Sequence, residues 1–271
     1  MNQFAALELH VEVAAQKMFT VGGFTVTNAM LTGVIGLIVT LSIMFYVGSM
    51  IKAGRYNRFV GLFQWVFEGL LHQIDEIIPD RKVARKITPL AVTVFFFVLL
   101  NYWLSILPGL DTVKINGVSL LRSPTADLNF VLGLAIVSIV TIQVYAVKHL
   151  GLLGNVGRYL RNPFKDPIGS FEGILEIVGE FSRCGSLALR LFGNAFAGEI
   201  LLIVITLLAS YFSVVTLPIF MIFELLIGFI QAYVFFVLTL IFTALAVSHN
   251  EEHTQNEHSP AIKSETILQP E

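Results

Sequence analysis

From Ile168 to Leu208 the chain runs for some forty residues without an internal proline, apolar along most of its length, and a second overlong apolar stretch covers Leu217 to Val247. In a bilayer core every backbone N–H and C=O must find a partner inside the protein, so such runs form either helices or the strands of a closed barrel. Barrel strands alternate over segments of about ten residues, and no such alternation occurs here, so the runs are helices. About 20 residues suffice to cross the hydrocarbon. Each of these two helices therefore tilts steeply, bends, or begins in the interface.

The 271 residues are 55% hydrophobic and 13% charged, against the roughly 45–50% apolar share of a soluble domain. The pattern predicts an all-α polytopic membrane protein: about five transmembrane helices, an interfacial helix, and two long tilted antiparallel helices at the C-terminal end. The first span covers about Val26 to Met50 and is closed by Lys52, Arg55 and Arg58. Between Phe59 and Ile78 apolar residues recur at helical spacing but are interrupted by Gln64, Glu68, Asp75 and Glu76, which describes an interfacial helix. The second span, about Pro89 to Leu107, stops at Pro108-Gly109. The third, about Asp127 to Val147, leads into a basic stretch punctuated by Gly and Pro, Lys148 to Pro167. A short turn, Ser210 to Thr216, joins the last two helices.

Residues 1–25 read as an outward-facing amphipathic leader containing Glu8 and Glu12, 26–248 as one helical membrane domain, and 249–271 as a disordered cytoplasmic tail. The start lacks the basic region and continuous apolar core of a signal peptide and reads as mature sequence. Orientation follows from the loops. Lys52, Arg55, Arg58, Arg81, Lys82, Arg85 and Lys86 lie between spans one and two, and Lys148, Arg158, Arg161 and Lys165 between spans three and four. The alternate segments carry only Lys17, Lys114 and Arg122. The N-terminus faces out and the C-terminus faces the cytoplasm or matrix.

A formal net charge of −2, with basic residues scattered among loops, gives no surface for nucleic acid. The single cysteine, Cys184, excludes an internal disulfide and a Cys-cluster metal site. No phosphate-cradling G-x-x-x-x-G-K-[ST], H-E-x-x-H or G-x-S-x-G motif occurs, so neither nucleotide nor peptide hydrolysis by this chain is expected. No cofactor and no metal are implied. His249, His253 and His258 share an acidic tail and read as solvated.

Arg190 is the outlier within the long apolar runs. A guanidinium keeps its proton at any ordinary pH, and an arginine at the centre of a membrane helix costs ~2.5–3.5 kcal/mol on insertion scales. In an antiparallel pair of helices joined by a short turn, Arg190 comes to the depth of Gln231, and Glu199 to the depth of Glu224. Residues nine apart differ by about half a turn, so Arg190 and Glu199 point to opposite faces and lie about 13 Å apart along the axis. Asn194 stays on the arginine side, with Ser186, Gly193, Ala197 and Gly198 as small neighbours. These small residues either pack the hairpin or admit a partner helix. The arginine favours a partner helix that carries a carboxylate.

Glu199 and Glu224 lie toward the outer end. Two carboxylates at one depth in low dielectric repel if both are ionised. That suits either groups that take up and release protons or a shared structural proton. Glu172, Glu176 and Glu180 form a stripe at the inner end of the same helix, either its solvated entry or the lining of an inner aqueous vestibule, with the vestibule favoured. Asp127 is either a polar lining residue or the N-cap of the third span.

The segment S-L-A-L-R-L-F-G-N-A-F-A-G-E, Ser186 to Glu199, closely resembles the signature of subunit a of the F-type ATP synthase membrane sector. The likeness continues through E-L-L-I-G-F-I-Q-A-Y-V-F-F-V-L-T-L-I-F, Glu224 to Phe242, into E-E-H, Glu251 to His253. More loosely it reaches back to P-T-A-D-L-N, Pro124 to Asn129, and the second span. The resemblance implies that Arg190 is the essential stator arginine facing a rotating ring of c subunits, each with its own carboxylate. Asn194 and Gln231 become polar neighbours of the arginine, Glu199 and Glu224 part of an outer proton half-channel, and Glu176 part of an inner one. The implied partners are the c ring, the peripheral-stalk b subunits, the remainder of the ATP synthase and the lipid bilayer. The chain is then non-catalytic toward ATP but essential for proton translocation.

The chain departs from the family at position 224, often histidine in bacterial members, and at Ser105, where some relatives carry an acid. A bacterial inner membrane is favoured over the mitochondrial inner membrane by the unprocessed start and the His- and Glu-rich tail. The rival reading is a self-contained secondary transporter with Arg190 binding an anion. Against it, the sequence has no paired halves.

Overall fold

A computed structural model of the chain describes residues 16–22, 24–78, 81–107, 114–115, 118–119, 122–159 and 167–257. The order of elements is a hairpin of β1 (Lys17–Val21) and β2 (Phe24–Thr27), then α1 (Asn28–Lys52), α2 (Arg58–Ile77) and α3 (Arg81–Ile106). A second small hairpin, β3 (Lys114–Ile115) and β4 (Val118–Ser119), precedes α4 (Leu128–Tyr159), α5 (Pro167–Ala209) and α6 (Ser213–Glu257). Both hairpins are antiparallel. Five helical segments are long and apolar enough to cross a membrane: Asn28–Lys52, Val83–Ile106, Leu128–Lys148, Ile168–Ala209 and Ser213–Ala244. The all-α polytopic architecture is therefore the one found.

Packing is the reverse of that in a soluble bundle. α1 buries a stripe of small and hydroxylated residues, Thr32, Gly33, Gly36 and Thr40, and exposes Val34, Leu37, Ile38, Leu41 and Phe45. In lipid, apolar side chains gain nothing by turning inward, so small residues take the helix contacts because they let backbones approach. At Gly33 a Cβ would strike the Phe130 ring of α4, and at Gly36 the Asn101 amide of α3. α3 is the central helix, packed most extensively against α6. Phe95 and Tyr102 of α3 and Phe235, Phe236 and Leu240 of α6 are all buried in one core. α2 is amphipathic: Val60, Leu70 and Ile74 are buried, while Glu68, His72, Asp75 and Glu76 are exposed. Phe63 of α2 stacks on Phe96 of α3 at 5.3 Å.

The element boundaries depart from the sequence expectation in four places. The leader ends in strands rather than continuing as an amphipathic segment, because the β-branched and aromatic run of residues 17–27 turns at Gly22, φ 57°, where a residue without Cβ is favoured. Asn28 ties this hairpin to α1: its Oδ1 accepts from the Gln16 and Ala29 amides at 3.2 and 2.9 Å. Glu8 and Glu12 lie outside the described residues.

The third crossing segment ends at Lys148, close to the expected Val147, but the Gly-punctuated stretch after it is helical to Tyr159, set off from the span by non-helical backbone at Gly151, φ 74° and ψ 163°. The turn between the long helices contracts to a 3-10 turn, Ser210–Phe212, and α6 starts at Ser213. Pro218 is absorbed in its second turn. α6 also runs on to Glu257, past the start of the expected disordered tail at 249. Residues 249–257 contain no glycine or proline, and adding residues to an existing helix is far easier than nucleating one. Residues 258–271 lie outside the described ones.

Candidate functional site: the polar line between the last two helices

α5 and α6 run antiparallel, and two contacts set their register. Asn194 Nδ2 donates to Gln231 Oε1 at 3.0 Å. One turn closer to the 3-10 turn that joins the two helices, Gly198 lies directly against the Glu224 carboxylate, so closely that a Cβ at Gly198 would collide with it. The expected pairing of depths is met within a turn, but the partner of Gln231 is Asn194, not Arg190. Constant pairing of residue numbers gives a depth; the direction of the side chain around the helix decides the contact.

Arg190 is exposed on the outside of the chain, as are Ser186, Gly193, Asn194 and Ala197. Among the described residues its one hydrogen bond is to the Ser186 hydroxyl at 3.5 Å, the limit of such a bond. No carboxylate meets it among the described residues. The charge sits in the middle of the span Ile168–Ala209, on a face of small residues that the chain does not cover. Glu199 turns to the other side and is half-buried.

Glu224 and Gln231 are buried, 3% and 2% exposed. The Gln231 Nε2 amide has no acceptor among the described residues, so this donor stands beside the Asn194 contact with capacity for a further polar group or water. The partner of Glu224 comes from α3: the Tyr102 hydroxyl donates to Glu224 Oε1 at 2.6 Å. Beside it the Trp103 indole donates to the Leu225 carbonyl at 3.0 Å. Neither was legible as a site residue, because both contacts join positions 122 apart in sequence. The available signal was Tyr102 itself, a hydroxyl within an otherwise apolar stretch next to Asn101.

The acidic stripe lies in the first part of α5. Glu180 accepts from Gln143 of α4 at 2.6 Å; Glu176 is half-buried and Glu172 exposed. The Arg183 guanidinium lies 4.9 Å from the centroid of the Phe242 ring of α6. Tyr233 of α6 donates to Gln73 of α2 at 2.9 Å. Asp127 stands apart from all of this as the N-cap of α4. Its Oδ1 accepts from the Asn129 amide at 3.0 Å and its carbonyl from Val131 at 3.1 Å, which is the capping alternative.

The glycine at 198 gives a direct test of this geometry. In Gly198→Ala the methyl group displaces the Glu224 carboxylate from the Tyr102 hydroxyl, and a lost hydrogen bond to a charged group is worth about 1.5–3 kcal/mol. The variant chain is expected to lose about that much stability against thermal unfolding in detergent, and an unchanged transition would mean that the carboxylate finds an equivalent partner after being moved.

The family model described as ATP synthase A chain matches residues 29–244. The ATP synthase subunit a of Mycobacterium bovis is 32% identical over 253 residues, 91% of this chain and 98% of that protein. That of Acidothermus cellulolyticus is 32% identical over 86% of this chain and 81% of its own length. A protein of Vibrio campbellii named ATP synthase subunit a 2 is 31% identical over 85% and 90%. With a match that runs from the first crossing helix into the last and includes Arg190, Glu224 and Gln231, the chain belongs to the ATP synthase A chain family.

Proposed function

We propose that this chain is the proton-channel stator subunit of an F-type ATP synthase. Two offset half-channels carry protons to and from carboxylates on a rotating c ring, and Arg190 stands between them. The observation that carries the reading is the uncovered guanidinium of Arg190 in mid-span. A permanent charge facing lipid is expensive, and the small residues around it admit a close helix. Its counter-charge is therefore supplied by another chain. A moving carboxylate that is attracted in ionised form, and must pick up a proton before it can enter lipid again, turns the ring in steps. The arginine also bars protons from leaking straight between the half-channels.

Glu199 and Glu224, with Gln231 and Asn194 behind them, form the outer path. Glu176, flanked by Glu172 and Glu180, opens the inner one. The peripheral-stalk b subunits hold the chain against the torque, and ATP chemistry is done elsewhere in the complex. The chain lies in a bacterial inner membrane with its N-terminus outside and its C-terminus in the cytoplasm. The bacterial sources of the relatives and the basic loops at one side support this placement.

Cross-linking tests the proposal directly. With Cys184 replaced by serine, single cysteines at Gly193 and at Ala197 are oxidised in the membrane-embedded complex. Each is expected to capture a small hairpin subunit that bears an intramembrane carboxylate. Failure of both positions to reach such a subunit would overturn the reading.

A further inference from the structure

Glu224 is held in one position from three sides. From α3 the Tyr102 hydroxyl reaches Oε1 at 2.6 Å, with Tyr102 only 1% exposed. From α5 the backbone at Gly198 closes the opposite side. On α6 itself Gly228, one helical turn on, leaves the space in which the Tyr102 ring lies; a Cβ there would strike the ring. The neighbouring Trp103–Leu225 bond fixes the height of α3 against α6 at the same level. This is more restraint than a helix contact needs. Tyr102 from α3 and the Gly198 backbone from α5 meet the carboxylate directly, while Gly228 seats the Tyr102 ring and Trp103 ties α3 to the Leu225 carbonyl beside it.

We infer that Tyr102 is a positioning residue for the proton step at Glu224, holding Oε1 so that proton exchange with the outer path falls to the other carboxylate oxygen. This rests on the proposed channel function. The phenol is suited to it chemically. It donates to the carboxylate at a distance typical of an O–H···O bond to an ionised acceptor, and it is itself far too weak an acid to give up its proton on each turn. Of the titratable groups, Tyr102 from α3 meets Glu224, and Glu199 follows Gly198 in the chain of α5. Tyr102 gives the carboxylate the fixed orientation that a flexible side chain lacks.

The test uses the whole complex in vesicles. Tyr102→Phe removes only the hydroxyl; proton flux is expected to fall about tenfold, the effect of losing one such hydrogen bond. The pH of half-maximal flux is expected to move by about one unit. A residue acting through Glu224 adds nothing once Glu224 is neutralised, so Tyr102→Phe in the Glu224→Gln background is expected to be no slower than Glu224→Gln alone. Gly228→Ala, which keeps the hydroxyl but displaces the ring, is expected to move the pH profile as Tyr102→Phe does. An unmoved pH profile, or losses that multiply in the double variant, would overturn the inference. These results separate it from the channel reading itself, which stands or falls with Arg190.

Discussion

Arg190→Ala is expected to abolish ATP-driven proton pumping while leaving the complex assembled. The geometry makes the two outcomes separable. The side chain is exposed and its one hydrogen bond among the described residues is to Ser186, at 3.5 Å, so truncation orphans no buried partner. Removing a charge from mid-span even relieves about 2.5–3.5 kcal/mol of insertion cost. The variant chain is therefore expected to be at least as stable in the membrane as the parent. Under the proposed function, what it loses is the fixed positive charge against which a partner carboxylate is neutralised and released. Under the same proposal, passive proton conduction through the membrane sector is expected to persist or rise, because the barrier between the half-channels is gone. Vesicles containing the purified complex, driven by ATP and read with a pH-sensitive dye, give the answer, and retained coupled pumping would sink the proposed function. Arg190→Lys is a sharper companion. It keeps a charge but replaces a planar, permanently protonated group by one that titrates when desolvated.

The second large effect is expected at Glu224. Glu224→Gln keeps the volume of the side chain and an acceptor for the Tyr102 hydroxyl, so the three-sided packing survives. The exchangeable proton does not. If proton transfer at this position is part of the outer path, flux falls roughly 10²-fold or more, the lower range for loss of a positioned proton-transfer group. Flux unchanged across a pH series would remove Glu224 from the path and leave Glu199 as the outer carboxylate. Thermal unfolding of the variant in detergent is expected to match the parent. This distinguishes a chemical loss from a packing one.

The crossing helices were legible because length and apolarity are properties of each segment taken alone. The exposure of Arg190 and the inward turn of Glu199 were legible for a similar reason: a helix repeats every 3.6 residues, so faces follow from spacing. What joins separate segments was not. Tyr102 meets Glu224 across 122 residues, and nothing in the local pattern of either announces the other. Gly198 reads as a small residue suited to helix contact, without showing that it abuts a carboxylate, and Gly228 gives no sign that an aromatic ring lies against it. The ends of helices were the other blind spot. At Gly151 the backbone leaves the helix but a helix resumes beyond it, and past Ser248 the helix already running carries on through polar residues. The bond between Asn194 and Gln231 depends on azimuth, which paired depths do not supply.

The attachments of α6 have a mechanical consequence. The helix is pinned to α3 at Leu225 by Trp103, to α5 at Gln231 by Asn194, and to α2 at Tyr233 by Gln73, all within eight residues or about 12 Å of rise. A rod fastened at three closely spaced points to three different neighbours cannot roll or slide without straining all of them. Any sideways force delivered to the Arg190 face of α5 is thereby spread into the whole bundle, and little of it is spent on local bending. For the stator role proposed above, in which the chain stays still while its partner turns, that stiffness is the useful property.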